Sequence, residues 1–283
     1  MRQGIVDSAQ DWRRLLSSIR QGLTTYSAAA VAHEEQTAAI ALRSRQVRPR
    51  RIAVIGCGGG VGTTTTAVLL AGVLAASRED KTMVFTMHSD ANDVAARLAI
   101  PHAPSVTEVL ASLRHHGQIP PTPLTRNGLR VLSAPPPGGA TPEPGLPDLL
   151  DVAASGHANV VVDAGVASRI GDLATVVELF DTVLLTSGTS PDAISAMRGV
   201  VGRSRACLPS GSPTRLILVA VRGRGAAGAD GASTEWQLPD GIPIHVLAHD
   251  PELGRGQAIE LSLLGGPSLK SVLVLGADVM STR

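Results

Sequence analysis

A glycine-rich loop carries the clearest chemical signal in this sequence. Residues 51–66 read RIAVIGCGGGVGTTTT, and five of the seven residues from 56 to 62 are glycine. Glycines let successive backbone N–H groups turn toward one anion, and the N-terminus of a following helix adds partial positive charge. The apolar runs on either side predict a strand before the loop and a helix after it. This order of elements is typical of phosphate binding.

The same loop lacks the lysine of the phosphate-binding motif G-x-x-x-x-G-K-[ST]. The spacing fits that motif from Cys57, or from Gly56 with one extra residue, and in both alignments Thr63 takes the lysine position. Lys81 and Lys270 are the only lysines of the chain, and neither is close to the loop in sequence. The loop is therefore predicted to surround a phosphate with backbone groups but without the side-chain cation.

An aspartate after an apolar run offers a second chemical group. Asp163 follows NVVV, a predicted strand. In enzymes with such a loop, an acid at this place helps to hold Mg²⁺, while a loop hydroxyl ligates the ion. Thr64 supplies the hydroxyl, so Thr64 and Asp163 are the predicted Mg²⁺ ligands if a nucleotide binds. An aspartate that ends a strand also serves as a helix N-cap, and this interpretation stays open.

Alternating strand and helix patterns must position these groups. They predict a mostly parallel α/β sheet with helices on both faces. Ligands bind such sheets at the carboxyl ends of the strands, so residues near 56–64, 86–90, 163–166, 186–191 and 220–225 should meet in one crevice. The predicted strands are 51–55, 82–87, 129–133, 159–163, 182–186, 216–221 and 244–247. The helices predicted after the loop are 92–100, 105–116, 172–180, 191–205 and 268–280, with a proline-rich loop at 135–147.

From about residue 51 to residue 279 the chain resembles the MinD/ParA group of P-loop ATPases, whose deviant Walker A loop reads K-G-G-x-G-K-[ST]. The resemblance rests on GGGVGTTTTA, TMVFTMHSDANDVAARL, NVVVDAG, VLLTSGTSPDAISAMR and HDPELGRGQAIELSLL. It is strongest toward actinobacterial MinD-like proteins linked to secretion, conjugation or partitioning.

The resemblance implies a three-layer P-loop domain over residues 51–283 that binds ATP with Mg²⁺. It also implies a protein partner, either a second copy of the chain or an active relative that forms a heterodimer with it. The nucleotide-binding residues that it implies are Gly58, Gly59, Gly60, Val61, Gly62, Thr63, Thr64 and Thr65.

Positions that carry the family's chemistry hold other residues here. The two loop lysines align with Gly58 and Thr63, the acid after the second strand aligns with Thr86, and the asparagine that contacts adenine aligns with Ala220. Cationic contacts to the transition state contribute about 10³–10⁵ to turnover in such enzymes, and threonine cannot replace a cation.

We therefore expect a regulatory, partner-binding protein that binds nucleotide weakly or not at all and does not hydrolyse it, and we assign no catalytic residue. The alternative is an active MinD/ParA-type ATPase switch that positions cellular cargo, which the retained Thr64 and Asp163 favour.

Residues 1–50 are predicted to form a helical extension and a basic linker. An apolar stripe with helical spacing runs from Trp12 to Leu23, and an alanine-rich helix is predicted near residues 27–42. The linker arginines suit nucleic acid or an anionic membrane surface, or they are simply solvated. These arginines are Arg43, Arg45, Arg48, Arg50 and Arg51.

The composition bears on the partners and the cellular location of the protein. The net charge of +1 favours no polyanionic partner, and two cysteines without metal-ligand spacing fit a reducing cytoplasm. No signal peptide is recognised, so we expect a cytoplasmic protein, with peripheral membrane attachment as an alternative. Cys57 is expected to be a small turn residue, although a nearby helix N-terminus can lower the pKa of a thiol.

Overall fold

The structure is a computed structural model that describes residues 28–281, except for 45, 79–80, 90–91, 118, 121, 126–127, 138–142, 224–240 and 260–262. The predicted helix near Trp12 and the linker residue Arg45 lie outside the described residues. Within the described part of the chain, no helix is long and apolar enough to cross a membrane.

Seven parallel strands form one sheet, and the glycine loop follows its central strand. The order across the sheet is β3-β2-β4-β1-β5-β6-β7, and β1 pairs with β4 on one side and with β5 on the other. The strands are β1 (Arg50–Gly56), β2 (Thr82–Thr86), β3 (Leu129–Val131), β4 (Asn159–Val166), β5 (Thr182–Ser187), β6 (Arg215–Val221) and β7 (Ile244–Leu247).

Helices cover both faces of this sheet. The helices are α1 (Ala28–Arg43), α2 (Thr63–Ser77), α3 (Val94–Arg97), α4 (Val106–His116), α5 (Leu146–Gly156), α6 (Leu173–Glu178), α7 (Pro191–Cys207), α8 (Pro251–Gly254) and α9 (Gly266–Met280). Side chains of β1 alternate between two apolar cores, with Ile52 and Val54 in one and Ala53 and Ile55 in the other. The first core packs against α1, α2, α3 and α9, and the second against α4 to α7. The predicted three-layer α/β architecture is confirmed.

Local sequence signals account for most of the element boundaries. Ser105 Oγ accepts from the backbone N–H of Glu108, and the Glu108 carboxylate accepts from the N–H of Ser105, which forms the predicted capping box of α4. Two predictions were wrong. The strand that carries Asp163 runs on to Val166, so this aspartate lies inside the strand. Helix α5 begins within the predicted proline-rich loop, because Pro147 falls in its first turn, where the missing N–H costs no hydrogen bond.

The helix before the glycine loop shares the first core. Leu42 is fully buried there, and a Cβ added to Gly276 of α9 would lie only 3.1 Å from Leu42 Cδ2. The missing side chain at residue 276 therefore allows α1 and α9 to pack closely. The domain boundary predicted at residue 50 remains a prediction, but α1 contributes to the packing of the main domain.

Three linker arginines bind groups of the protein itself. The Arg50 guanidinium donates to the carbonyl oxygens of Val279 and Met280, at 2.7 and 3.2 Å, and so caps the C-terminal end of α9. Arg48 lies 3.5 Å from Asp181, and Arg51 forms an ion pair with Asp151. These contacts leave less free charge on the linker than the sequence suggests.

Candidate functional site

The loop between β1 and α2 has the shape of a phosphate cradle. Gly62, which precedes α2, has φ +81°, a conformation that favours glycine, and a Cβ there would lie 3.3 Å from Val221. A Cβ on Gly56 would lie 2.5 Å from Thr63 Oγ1. No side chain caps α2 at its N-terminus, so its first N–H groups are suited to an anion.

The lysine position holds a side chain that is turned into the protein. Thr63 is 8% exposed, and its Oγ1 lies 3.1 Å from Oγ1 of Thr186 on β5. The Thr186 hydroxyl also lies 3.4 Å from the carbonyl oxygen of Ile55 on β1, to which it donates. The motif's cation is thus replaced by two uncharged hydroxyls that join the loop helix to the sheet.

The predicted metal ligands lie side by side. The Thr64 hydroxyl donates to Asp163 Oδ2 at 2.6 Å, and the backbone N–H of Gly165 donates to Asp163 Oδ1 at 3.1 Å. Asp163 is fully buried, and this burial raises the pKa of its carboxyl, an effect that His88 and the hydrogen bonds oppose. A hydroxyl and a carboxylate oxygen in contact form a donor pair that suits Mg²⁺.

His88 belongs to the site, although the sequence reasoning did not select it. Its Nδ1 lies 3.0 Å from Thr86 Oγ1 and 4.0 Å from Asp163 Oδ1. Thr86, which aligns with the family's acid, is fully buried, whereas His88 lines the cavity above the loop. No local pattern could have selected it, because residue 88 lies beyond the end of β2 at Thr86.

A cavity of about 1180 Å³ opens above the loop, at the carboxyl ends of the strands. Residues 62–66, 165–166, 188–190 and 221–223 line it, as the convergence of strand ends predicts. Residues 247–251 and 253–256, from the end of β7 through α8, form a further wall that the crevice prediction omitted. A volume of this size accommodates a nucleotide.

The predicted adenine position does not lie on this wall. Ala220 is fully buried in the second core, and its neighbours Val221 and Arg222 line the cavity. Strand alternation explains the difference between Ala220 and Val221, because consecutive residues of β6 point to opposite faces of the sheet, and Arg222 lies beyond the end of β6.

Solved structures share this architecture. One is a ParA family ATPase from Chlorobium tepidum, with a TM-score of 0.64 and 17% identity, covering 80% of this chain and 98% of that one. Another is MinD of Aquifex aeolicus in complex with MinC, with a TM-score of 0.62 and 16% identity over 83% and 97%. A third is the ATP complex of McdA(D38A) from Cyanothece, with a TM-score of 0.60 and 16% identity over 83% and 97%. By sequence, no family model and no curated protein matches the chain.

The chain has the fold of the ParA and MinD ATPases. Identities of 16–17% establish the fold alone. The same fold can carry different activities, so function must be argued from the side chains of the site.

The residues of this ParA/MinD fold fit part of an ATP and Mg²⁺ site. The loop backbone fits phosphate oxygens, and Thr64 with Asp163 fits Mg²⁺. Among the described residues there is no group of three or more His, Cys, Asp or Glu that could hold a metal, so the ion would also need phosphate oxygens. Gly58 and Thr63 supply no charge to a terminal phosphate. The roles assigned to residues 58–65 and to Asp163 remain predictions.

Cys57, at the start of the loop, is an unreactive thiol in this fold. Burial raises its pKa to about 12, and the positive charge of Arg203 only partly opposes this. The thiol therefore stays protonated at neutral pH, and the alternative of a pKa lowered by the helix N-terminus is not supported.

Raising the pH should destabilise the nucleotide-free protein through Asp163. Because burial raises the folded pKa of this carboxyl, its contribution to stability is full below its ordinary value of 3.8 and is lost as the pH rises through the folded pKa. Asp163→Asn keeps the shape and removes this titration together with the interaction between the carboxylate and His88. Thermal melts in EDTA should show the melting temperature of the wild type falling relative to that of the variant as the pH rises from about 4. Parallel curves would contradict the assignment.

Proposed function

We propose that this chain is a ParA/MinD-type protein that has lost ATP hydrolysis and acts by binding a protein partner. One observation carries the proposal: the lysine position of the loop holds Thr63, whose uncharged hydroxyl contacts Thr186 and supplies no cation to the cavity.

The energetic cost of this replacement is large. A charged hydrogen bond typically contributes about 1.5–3 kcal/mol, so losing one lysine weakens phosphate binding by roughly 10- to 100-fold. Gly58 removes the second cation of the motif, and Thr86 provides no carboxylate. Contacts that neutralise the transition state contribute about 10³–10⁵ in related phosphoryl transfer. Together these losses leave no effective route to hydrolysis.

Nucleotide binding can persist in a weakened form. The backbone of residues 58–65 would surround the phosphates, and Thr64 and Asp163 would hold Mg²⁺. When bound, the ion would neutralise phosphate charge. The contact between Thr64 and Asp163 at 2.6 Å supports this part of the proposal.

The partner is proposed to be a protein. MinD of Aquifex aeolicus has been solved in complex with MinC, which shows that a protein of this fold binds a protein partner. For this chain we propose a homodimer or a heterodimer with an active relative, within an actinobacterial MinD-like role in secretion, conjugation or partitioning. The proposed location is the cytoplasm. Secondary contact with nucleic acid or a membrane surface would use Arg43 and Arg48. Arg48 is 74% exposed despite its contact with Asp181, whereas Arg50 and Arg51 are engaged by groups of the protein.

An active ATPase switch that positions cargo is the second candidate. The intact pair of Thr64 and Asp163 favours it, because this pair would serve a metal-dependent reaction. The two candidates differ in one measurable quantity, the rate of phosphate release.

Phosphate release from Mg-ATP should be the same for the wild type and for Asp163→Ala. Both proteins lack the cationic contacts that stabilise the transition state, so neither should hydrolyse ATP. Removing the metal ligand should therefore cause no further loss of rate. A coupled phosphate assay at saturating Mg-ATP measures this, with a no-protein blank. A wild-type rate that falls at least tenfold in Asp163→Ala would establish the active switch instead.

A further inference from the structure

A buried arginine on the cavity wall forms hydrogen bonds only with uncharged groups among the described residues. Arg97 of α3 is 3% exposed and lines the cavity. Its Nη2 donates to Thr65 Oγ1 and to the carbonyl oxygen of Leu253, both at 3.1 Å, and its Nη1 donates to the carbonyl oxygen of Gln257. The guanidinium thus joins the start of α2 to the wall that follows β7.

Within the described part of the chain, no ion pair matches the charge of this arginine. Glu252 is the acid that acts on Arg97 electrostatically, but its carboxylate lies 2.8 Å from Arg255 Nη1. A buried charge is costly unless an opposite charge compensates it. An anion in the cavity would supply that compensation.

A second polar group on the same wall also lacks a partner. Thr66 is 1% exposed and lines the cavity, and its Oγ1 has no hydrogen-bond partner among the described residues. Buried hydroxyls are usually hydrogen-bonded, so this one is an uncompensated polar group beside the cavity. Thr66 follows Thr65 directly, which places both signals at the start of α2.

The position of Arg97 differs from that of the missing lysine. The side chain at the lysine position, Thr63, contacts β5, and Thr64 of α2 contacts Asp163 of β4. Arg97 instead contacts Thr65 and the segment after β7. In a P-loop the backbone surrounds the α- and β-phosphates, and the lysine reaches the β- and γ-phosphates. Arg222 and Arg255 also line the cavity, but of these three arginines only Arg97 is buried. This buried cation therefore does not stand where a terminal phosphate would need it.

We propose that Arg97 is the phosphate-binding cation of this cavity and that the site selects nucleotides by the phosphates nearest the nucleoside. Nucleoside mono- and diphosphates then bind about as tightly as triphosphates. This inference rests on the proposed function only in that the cavity takes a nucleotide.

A ligand series on the full-length wild-type chain tests this directly. Adenosine, AMP, ADP and ATP are titrated with Mg²⁺ by calorimetry at fixed ionic strength. The affinity should rise by about tenfold or more from adenosine to AMP or ADP, as one charged contact provides, and by less than about threefold from ADP to ATP. A preference for ATP over ADP of about tenfold or more would overturn the proposal. So would AMP and ADP binding no better than adenosine, or no binding by any of the four.

Arg97→Gln tests the residue. Glutamine can still donate to Thr65 and to a carbonyl oxygen, so the variant should keep its affinity for adenosine and lose the gain that phosphate brings. Arg114→Gln, at an exposed arginine in the last turn of α4, is the matched control and should keep the wild-type affinities for all four ligands. A purely structural Arg97 would weaken all four ligands equally, which would contradict the proposal. If Arg97→Gln does not fold, the wild-type series decides alone.

The two proposals fail separately. If phosphate release depends on Asp163, the proposal that hydrolysis is lost is overturned. The ligand titrations can still support the role of Arg97 in that case. If the ligand titrations contradict the role of Arg97 and no phosphate is released, only the Arg97 proposal is overturned. The proposed partner-binding function is then unaffected.

Discussion

Replacing Thr63 with lysine should raise the affinity for Mg-ATP by about 10- to 100-fold, because it restores a charged contact at the position where the motif needs it. The substitution breaks one hydrogen bond, between Thr63 and Thr186. The net cost of a neutral hydrogen bond is about 1 kcal/mol, which is smaller than the expected gain. Titration calorimetry on the wild type and the variant measures the change.

The control for this experiment adds the same charge elsewhere in the cavity. Thr189 lines the cavity on the loop after β5 and is partly exposed, so Thr189→Lys changes the net charge without filling the lysine position. Its effect on the affinity for ATP should be several-fold smaller. Equal gains from both lysines would mean that general attraction, rather than the motif position, limits binding.

Leu42→Ala should lower the free energy of unfolding by about 2–5 kcal/mol. Leu42 is fully buried in the first core and contacts the surface of α9 that Gly276 leaves open. Truncation removes apolar contacts and leaves a cavity between α1 and α9. Urea denaturation followed by circular dichroism measures the loss.

Ile40→Ala is the matched control on the same helix. Ile40 is 65% exposed, so its truncation should change the stability by no more than about 0.5 kcal/mol. If both variants lose the same small amount, α1 does not pack on the domain in solution. A large loss at Leu42 alone would show that the chain before residue 50 contributes to the core.

The architecture could be predicted because its signals are local. Apolar strands that alternate with helices of adequate length leave few arrangements other than a parallel sheet with two helical layers. The capping box of Ser105 and Glu108 located a helix start for the same reason, since both partners lie within one turn. The position of the glycine loop followed from the order of strand, loop and helix.

Contacts between distant segments could not be predicted in this way. Arg97 meets Leu253 and Gln257 across more than 150 residues of sequence, with separations of 156 and 160. His88 lies beside Asp163 because β2 and β4 are neighbours, which depends on the strand order and not on local pattern. The sequence therefore predicted the glycine backbone of the site but not the positions of His88 and Arg97 in it.

The central claim is that the scaffold is intact but lacks the two lysines of its loop. The most direct test is a thermal shift with Mg-ATP on the wild type and on Gly58→Lys/Thr63→Lys. The double variant should gain an ATP-dependent stabilisation of about 5 °C or more over that of the wild type, as a roughly 100-fold gain in affinity provides for a domain of this size. The nucleotide-free melting temperatures of the two proteins should be similar. A wild type that Mg-ATP stabilises as strongly as the double variant would contradict the claim.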